Sequence, residues 1–341
     1  MSETGRGDNP LQDPSVRYRC YHPAELLVAE GHFASVYSAK QFYADPNFDY
    51  DFYIFHRPSA AREGFTAVME RLRSRGKTLI ADYDDLIFGD EDVALQSAAV
   101  KNGTLSPDRA VAAFASNLAG LREFDRAVTS TVPLKQRLAE SNPGATVVVQ
   151  PNVIPPSILD VHADLETYLV PRPHTAIGYF AGTKSHDQDF PIVADALHRV
   201  LMERPDLTLM IVGPVAVPQA LAALPNVTTA PVVNFLRLPG LMTMCSTVIA
   251  PLEVSVFNEC KSRVKFLEAA LSGARLLASP IPDMQDVGSG RIGLMETRDD
   301  WYEALSETPD YMSRKAQAID NFAFLRNTCT VDALTTLWGA A

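Results

Sequence analysis

Three short stretches hold the residues able to do chemistry. The first runs from Asn258 to Gly273, "NECKSRVKFLEAALSG", after the apolar run "STVIAPL". At about 100° per residue, a helix here puts Lys261, Lys265, Glu268 and Ser272 on one stripe. Val264, Leu267 and Leu271 fall on a separate stripe suited to a core. Asn258 and Ser262 stand near the expected N-terminus, where side-chain oxygens cap free N–H groups. That end of a helix carries partial positive charge and binds phosphate readily, and two lysines reinforce the field. Glu268, farther along, has acceptor oxygens for sugar hydroxyls. The competing reading is a solvated face with a Lys265–Glu268 pair, worth about a few tenths of a kcal/mol. Spacing alone leaves both open.

The second stretch is "YFAGTKSHDQDF", Tyr179 to Phe190. It reads as a strand ending at Gly182, a small polar loop, and a helix starting near Asp187 or Asp189. Glycine lets a ligand approach the backbone closely, and Lys184 and His186 have the reach and charge to meet a phosphate. An ordinary βα loop with Ser185 or Asp187 as helix cap fits equally well. The loop has neither GxGxxG nor GxxxxGK[ST] spacing, so it supports no dinucleotide fingerprint and no P-loop. The third stretch, "DYDDLIFGDED", begins at Asp82 with a D-x-D pattern. Carboxylates at a strand end bind Mg²⁺ or Mn²⁺ through oxygen, act as a general base, or form a solvated acidic turn. His56-Arg57, ending a neighbouring strand, is expected on the same edge. Arg57 there either holds an anion or pairs with the aspartates.

Other chemistries are not supported. The sequence contains no GxSxG elbow, no HExxH and no convincing Cys/His nucleophile pair. Its four cysteines, Cys20, Cys245, Cys260 and Cys329, show no CxxC pair or metal-ligand spacing. They read as buried small hydrophobes in a reducing, cytoplasmic setting. Trp301 and Trp338 read as packing residues.

The elements that must position these stretches alternate. "DFYIFHR" (Asp51 to Arg57) and "TLIADYDD" (Thr78 to Asp85) read as buried strands around the helical "AAREGFTAVMERLRSRG", a βαβ unit that requires a parallel sheet. Helical "AVAAFASNLAGLREF", then "DRAVTST", "LKQRLAESNPG" and "TVVVQPNVI", continue the alternation. Pro155 to Pro173 is proline-rich and aperiodic, as expected of a linker. A second alternation follows in "TAIGYFAG", "DFPIVADALHRVLMERP", "LTLMIVGPV", "VTTAPVV", "LPGLMTMCS", "TVIAPL" and "ARLLASPI". The expected division is an unstructured leader over 1–16, an N-terminal domain over 17–155 and a linker over 156–173. A C-terminal domain over 174–310 follows, then a helical region over 311–341 that packs back on the N-terminal domain. The fold class is α/β, with two Rossmann-like doubly wound domains facing across a cleft. Ligands of such sheets bind at the carboxyl ends of the strands.

The chain has 341 residues, 47% of them hydrophobic, which is enough for two domains with their own cores. A formal net charge of -11 argues against nucleic acid as a partner. No apolar run approaches the roughly 20 residues a membrane span needs, and "MSETGRGDNPLQDP" lacks the segments of a signal peptide.

Taken in order, "TLIADYDDLIF", "AVTSTVPLKQRL", "VVVQPNVI", "IGYFAGTKSHDQDF", "LMIVGPV" and "FNECKSRVKFLEAALSGARLLASPIPD" resemble bacterial glycosyltransferases of the GT-B architecture, close to the family 4 group. The resemblance covers most of the chain. It implies a nucleotide-diphosphate sugar held by the C-terminal domain and an acceptor, a glycan or a lipid-linked precursor, held mainly by the N-terminal one. Glu268 matches the glutamate that binds ribose hydroxyls in such enzymes, and Lys261, Ser262 and Lys265 match the groups that hold the diphosphate. Gly182, Thr183, Lys184 and His186 then face the same phosphates, with Asn258 beside them. On this reading Lys265, Lys184 and Asp84 are the catalytic candidates, and Arg57, Asp82 and Asp85 stand on the acceptor side. No metal or other cofactor is expected, because GT-B enzymes generally need none. A cytoplasmic enzyme in surface-polysaccharide synthesis, docking peripherally on the membrane, is the expectation; the sequence sets no oligomeric state. One position departs from the pattern. Many relatives carry two glutamates separated by seven residues here, and the earlier one is Cys260 in this chain, with Glu259 offset by one. That departure keeps two rivals in view: a GT-B module that binds nucleotide or glycan without turnover, and a nucleotide-sugar epimerase.

Overall fold

A computed structural model of the chain describes residues 2, 10–162, 176–182, 188–307 and 310–338. They form two compact units. One comprises Met1–Pro155, Cys260–Ser262 and Thr330–Ala341; the other comprises Pro156–Glu259 and Arg263–Cys329. Among the described residues no helix is long and apolar enough to cross a membrane.

The first unit is built on a four-stranded parallel sheet whose spatial order is its chain order, β1 (Phe52–His56), β2 (Thr78–Tyr83), β3 (Arg126–Thr129) and β4 (Thr146–Val149). Helices Phe65–Ser74, Pro107–Leu121 and Val132–Ser141 make the crossovers. Each buries one stripe, for example Val68, Met69 and Leu72 in the first and Leu134 and Leu138 in the third. Thr131 caps the last of these, its hydroxyl accepting from the Leu134 N–H. Register aligns the strand ends: His56 lies beside Asp82, Tyr83 beside Thr129 and Thr129 beside Val149. The polar residues His56, Asp82 and Thr129 at the ends of β1, β2 and β3 are thereby gathered on one edge of the sheet.

Two expectations change at the chain ends of this unit. Pro10–Gln12 and Pro14–Val16 are helical turns, not leader. The Asp13 carboxylate accepts from the Ser15 N–H, the Arg17 guanidinium donates to the Leu11 carbonyl, and Val16 is buried. Residues 3–9 of that stretch lie outside the described residues. Toward the C-terminus, helix Tyr311–Asn327 belongs to the second unit, and the first unit takes up the chain from Thr330. There the Gln150 side chain donates to the Thr330 carbonyl and accepts from the Leu334 N–H.

The second unit has six parallel strands in the order β10 (Ile292–Leu294), β9 (Arg275–Ala278), β8 (Thr247–Ala250), β5 (Ala176–Phe180), β6 (Thr208–Val212) and β7 (Val227–Ala230). The order reverses between β5 and β8, so the sheet is doubly wound with its switch point there. Crevices outside such a switch point are where open α/β sheets bind ligands. Helix Pro191–Glu203 buries Val193, Leu197, Val200 and Leu201 in a core shared with Ile177, Leu209, Ile249 and Trp301. Of the expected linker, Pro156–Val161 is helical, and residues 163–175 lie outside the described set.

Candidate functional site

At the carboxyl edge of the second unit, the loops after β5 and β8 are tied together by one buried carboxylate. Asp189 Oδ1 accepts from the Glu253 N–H at 2.9 Å and from Asn258 Nδ2 at 3.2 Å. Asn258 also donates to the Glu253 carbonyl at 3.0 Å. Asp189 and Asn258 are both buried. Asn258, expected to touch a ligand at a helix start, is therefore engaged as a clasp that fixes the crevice wall. Asp189, considered from sequence as a helix start, serves that clasp and does not cap the helix beginning at Pro191. Gly182 ends the β5 segment in this region; Thr183, Lys184 and His186 lie outside the described residues.

The single helix expected across Asn258–Gly273 is two pieces. Val256–Glu259 is one turn, residues 260–263 are non-helical, and Val264–Leu271 is the helix proper. The break has a tertiary cause. The Arg263 N–H donates to Asp283 Oδ2 at 2.6 Å, and its guanidinium donates twice to Asp283 Oδ1, at 3.1 and 2.6 Å. This anchor sets where the helix starts. Lys261 consequently leaves the predicted stripe. Lys265 and Glu268 keep it: Lys265 Nζ donates to Glu268 Oε2 at 2.8 Å, with side chains 24% and 12% exposed. Phe266, Leu267, Ala269, Ala270 and Leu271 of the same helix are buried. Ser272, on the expected stripe, donates back to the Glu268 carbonyl. A partly exposed ammonium and carboxylate thus stand on the helix between β8 and β9. Together they can present a cation to a phosphate and an acceptor to a hydroxyl.

The tripeptide Cys260-Lys261-Ser262 packs in the first unit. Thr131 Oγ1 donates to the Cys260 carbonyl at 2.9 Å, Asn152 Nδ2 donates to Ser262 Oγ at 2.9 Å, and Lys261 Nζ lies 4.0 Å from Asp85 Oδ1. Cys260 is buried, 1% exposed. Ser262 is not a cap of the helix that follows it, whose first flanking residue is Arg263 with no side-chain cap.

The strand ends of the first unit hold a charge lattice, buried at Arg19, His56 and Asp82 and half-buried at Arg57, Asp84 and Asp85. Arg19 reaches Asp82 through Nε and Nη2 at 3.0 Å, and its Nη1 donates to the Gln150 carbonyl at 2.7 Å and to Asn152 Oδ1 at 3.1 Å. Arg19 and Asp82 are both buried. Asp82, expected on the acceptor side, is closed off as one half of an internal ion pair. Arg57 stands at the end of β1 with φ of 54°, the one non-glycine positive φ among the described residues. That left-handed turn, costly for a residue with a Cβ, sends its side chain toward the β2 end. There Nε donates to Asp84 Oδ1 and Nη2 to Asp85 Oδ2, both at 2.6 Å, and Nη2 also donates to Ser15 Oγ at 3.0 Å. His56 completes the group, Nε2 lying 3.1 Å from Asp84 Oδ1 and Nδ1 lying 2.8 Å from Ser2 Oγ.

Proton affinities follow from these contacts. Burial alone would push the Asp84 carboxyl up, but Arg57 and His56 together hold it well below the usual carboxylate range. Burial opposes a charged His56 ring, yet the Asp84 carboxylate, helped by Cys20, raises its pKa to about 9. His56 is therefore an imidazolium at neutral pH that donates from both nitrogens. An Asp84 so strongly held is a poor proton acceptor near pH 7, and the lattice makes it an anchor for Arg57 in place of the expected base. Among the described residues no group of three or more His, Cys, Asp or Glu side chains is placed to hold a metal ion. Arg19, Arg263 and Asp283 have no mark in the sequence, and Asp189 is marked there only as a helix start. Each works through a partner distant in the chain, and no local pattern marks such a pair.

No family model and no curated protein matches this sequence. Solved structures do match the fold. Anabaena HepE in complex with UDP-glucose aligns over 99% of this chain and 96% of its own, at 13% identity and a TM-score of 0.60. The chain shares its fold. A Burkholderia xenovorans α,α-trehalose-phosphate synthase (UDP-forming), in complex with glucose-6-phosphate, aligns over 88% of this chain and 76% of its own at 14% identity and a TM-score of 0.57. S. aureus TarM, in complex with UDP and α-GlcNAc-glycerol among others, aligns over 84% of this chain at 9% identity and a TM-score of 0.56. The match covers 54% of the TarM chain, about half its length. The fold class is thus the expected one, α/β with two Rossmann-like units of the GT-B type.

Proposed function

We propose that the protein is a glycosyltransferase that moves a sugar from a nucleotide-diphosphate donor to a glycan or lipid-linked acceptor. Surface-polysaccharide synthesis in the cytoplasm, with peripheral docking at the membrane, is the setting this reading carries. The observation that carries the activity is the Lys265–Glu268 pair, partly exposed on the helix that leaves the switch-point strand β8. It sits in a fold shared over nearly its whole length with a protein that binds UDP-glucose. In this reading Lys265 neutralises the charge that develops on the leaving diphosphate, and Glu268 accepts from ribose hydroxyls. Stabilisation of developing charge by a preplaced group is worth about 10²–10³ in rate where one donor has been removed from comparable sites. Lys184 and Thr183 would add to the phosphate contacts. The chemistry is charge stabilisation by side chains, and we propose that no metal ion is needed.

The test is donor binding and transfer. Calorimetric titration with UDP and UDP-glucose, then with the GDP, ADP and dTDP counterparts, should find one nucleotide series that binds. The Lys265→Ala, Glu268→Ala double variant should lose both binding and transfer; near-normal transfer by that variant would sink the assignment. A binding module without turnover is favoured by one observation, the burial of Cys260, at the position where the glycosyltransferases this sequence resembles have a glutamate. Donor binding with neither transfer nor hydrolysis would decide for it.

A further inference from the structure

A cavity of about 320 Å³ lies within the first unit along β1, an edge strand of its sheet. The size is at the lower end of the roughly 300–1,000 Å³ typical of small-molecule pockets. Two ring pairs wall it. Phe33, 81% exposed, stacks parallel to Tyr50, with centroids 6.0 Å apart and planes at 9°. Phe52 stacks on Trp338, centroids 4.6 Å apart and planes at 25°. Such a highly exposed phenyl ring, held flat against a second ring, offers an apolar platform to something outside the core.

The polar groups narrow the occupant. Asp49 and Asp51, on the same lining, are exposed and accept hydrogen bonds only, when ionised. A pyranose ring presents both features this lining asks for, a C–H face for the rings and a rim of hydroxyls that donate to carboxylates. An apolar tail would cover the rings but desolvate the carboxylates without pairing them.

We propose that this cavity binds a saccharide and, resting on the glycosyltransferase reading above, that it holds a sugar residue of the acceptor, not a lipid chain. Tryptophan fluorescence of the full chain tests it, because Trp301 is buried at 1% exposure and Trp338 lines the cavity. The probes are maltose, cellobiose, lactose and N,N′-diacetylchitobiose, with farnesyl phosphate as the apolar comparison and UDP titrated separately by calorimetry. At least one disaccharide should give a saturable fluorescence change that disappears in Trp338→Phe. Phe33→Ala, a change at an exposed position that leaves the fold intact, should raise its dissociation constant about tenfold, the scale of one aromatic contact. UDP affinity should be the same in Phe33→Ala and wild type. Absence of any disaccharide response, or one indifferent to Phe33→Ala, overturns the proposal. Phe33-dependent binding of farnesyl phosphate without any disaccharide response overturns it in favour of an apolar tail. The UDP arm keeps the readings apart, since UDP binding with a silent cavity leaves the donor site standing.

Discussion

Two buried histidines of the first unit titrate in opposite senses, which predicts a stability maximum near pH 6.5. His56 has its pKa raised to about 9: burial opposes the charged ring, but the Asp84 carboxylate, helped by Cys20, outweighs it. Its unfolded value is about 6.5. The contribution is fully present below pH 6.5 and is lost as pH rises through 9. At about 1.4 kcal/mol per pH unit, that interval corresponds to about 3 kcal/mol. His22 behaves in reverse. Burial lowers its pKa to about 4, against the pull of the Val153 carbonyl, which lies 2.8 Å from Nδ1. Its contribution is present above pH 6.5 and is lost as pH falls through 4, again about 3 kcal/mol. Urea unfolding at intervals from pH 4 to 9.5 reads both limbs. Asp84→Asn isolates the alkaline one. Without the carboxylate, His56 should lose its proton near or below neutrality, and the fall between pH 6.5 and 9 should vanish. The variant should lose about 3 kcal/mol at pH 6.5, because a largely buried Arg57 is left with only the more exposed Asp85 as counter-charge. The His56 ring protons, followed by NMR, should titrate near 9 in the wild type. A flat wild-type profile from pH 6.5 to 9, or a His56 titration near 6.5, would refute the lattice as described.

Three further outcomes are expected. Lys265→Ala should lower turnover about 10²–10³-fold with a smaller change in donor affinity, while Glu268→Ala should mainly weaken donor binding; stopped-flow kinetics and calorimetry separate the two. Asp283→Ala should destabilise the second unit by about 3 kcal/mol, because it strands a largely buried Arg263 and removes the acceptor of its N–H; chemical denaturation checks this. Gly213→Ala should cost more than about 2 kcal/mol, since its φ of 117° is strained for any L side chain and a Cβ would stand 1.9 Å from the Ala181 carbonyl oxygen; a shift in melting temperature reads it.

The parts of the fold legible in the sequence are those with a local cause. "DFYIFHR" and "TLIADYDD" read as strands because strands buried on both faces are nearly continuous apolar runs, and β1 and β2 differ from those readings by one or two residues at their ends. The Lys265–Glu268 stripe was legible from helical periodicity. What escaped depends on residues remote in sequence. The interruption at 260–263 is set by Arg263 meeting Asp283, twenty residues on. The D-x-D motif looks from sequence like an open acidic turn, yet Asp82 is neutralised by Arg19, sixty-three residues earlier. The burial of those carboxylates cannot be inferred without knowing which cations the topology brings to the same sheet edge.

The same distinction sorts the cations by what they remain able to bind. Arg19 has Nε, Nη1 and Nη2 all committed to protein acceptors in a buried site. Releasing it would leave Asp82 uncompensated, at a cost of about 3–5 kcal/mol. Arg57 is nearly as constrained, with two carboxylates at 2.6 Å and a strained backbone that keeps it there. Lys265 differs in kind. Its partner is three residues away on the same helix, and the pair is 24% and 12% exposed against 2% and 3% for Arg19 and Asp82, so opening it costs far less. On the proposed function, an arriving diphosphate, with more negative charge than one carboxylate, would displace Glu268 from Lys265. Glu268, once released, would accept from a sugar hydroxyl. The two side chains would then satisfy each other when the site is empty and separate into two ligand contacts when it is filled. The same exchange is far costlier at Arg19, which is the physical reason to propose the chemistry on the helix after β8 and a scaffold role for the acidic motif.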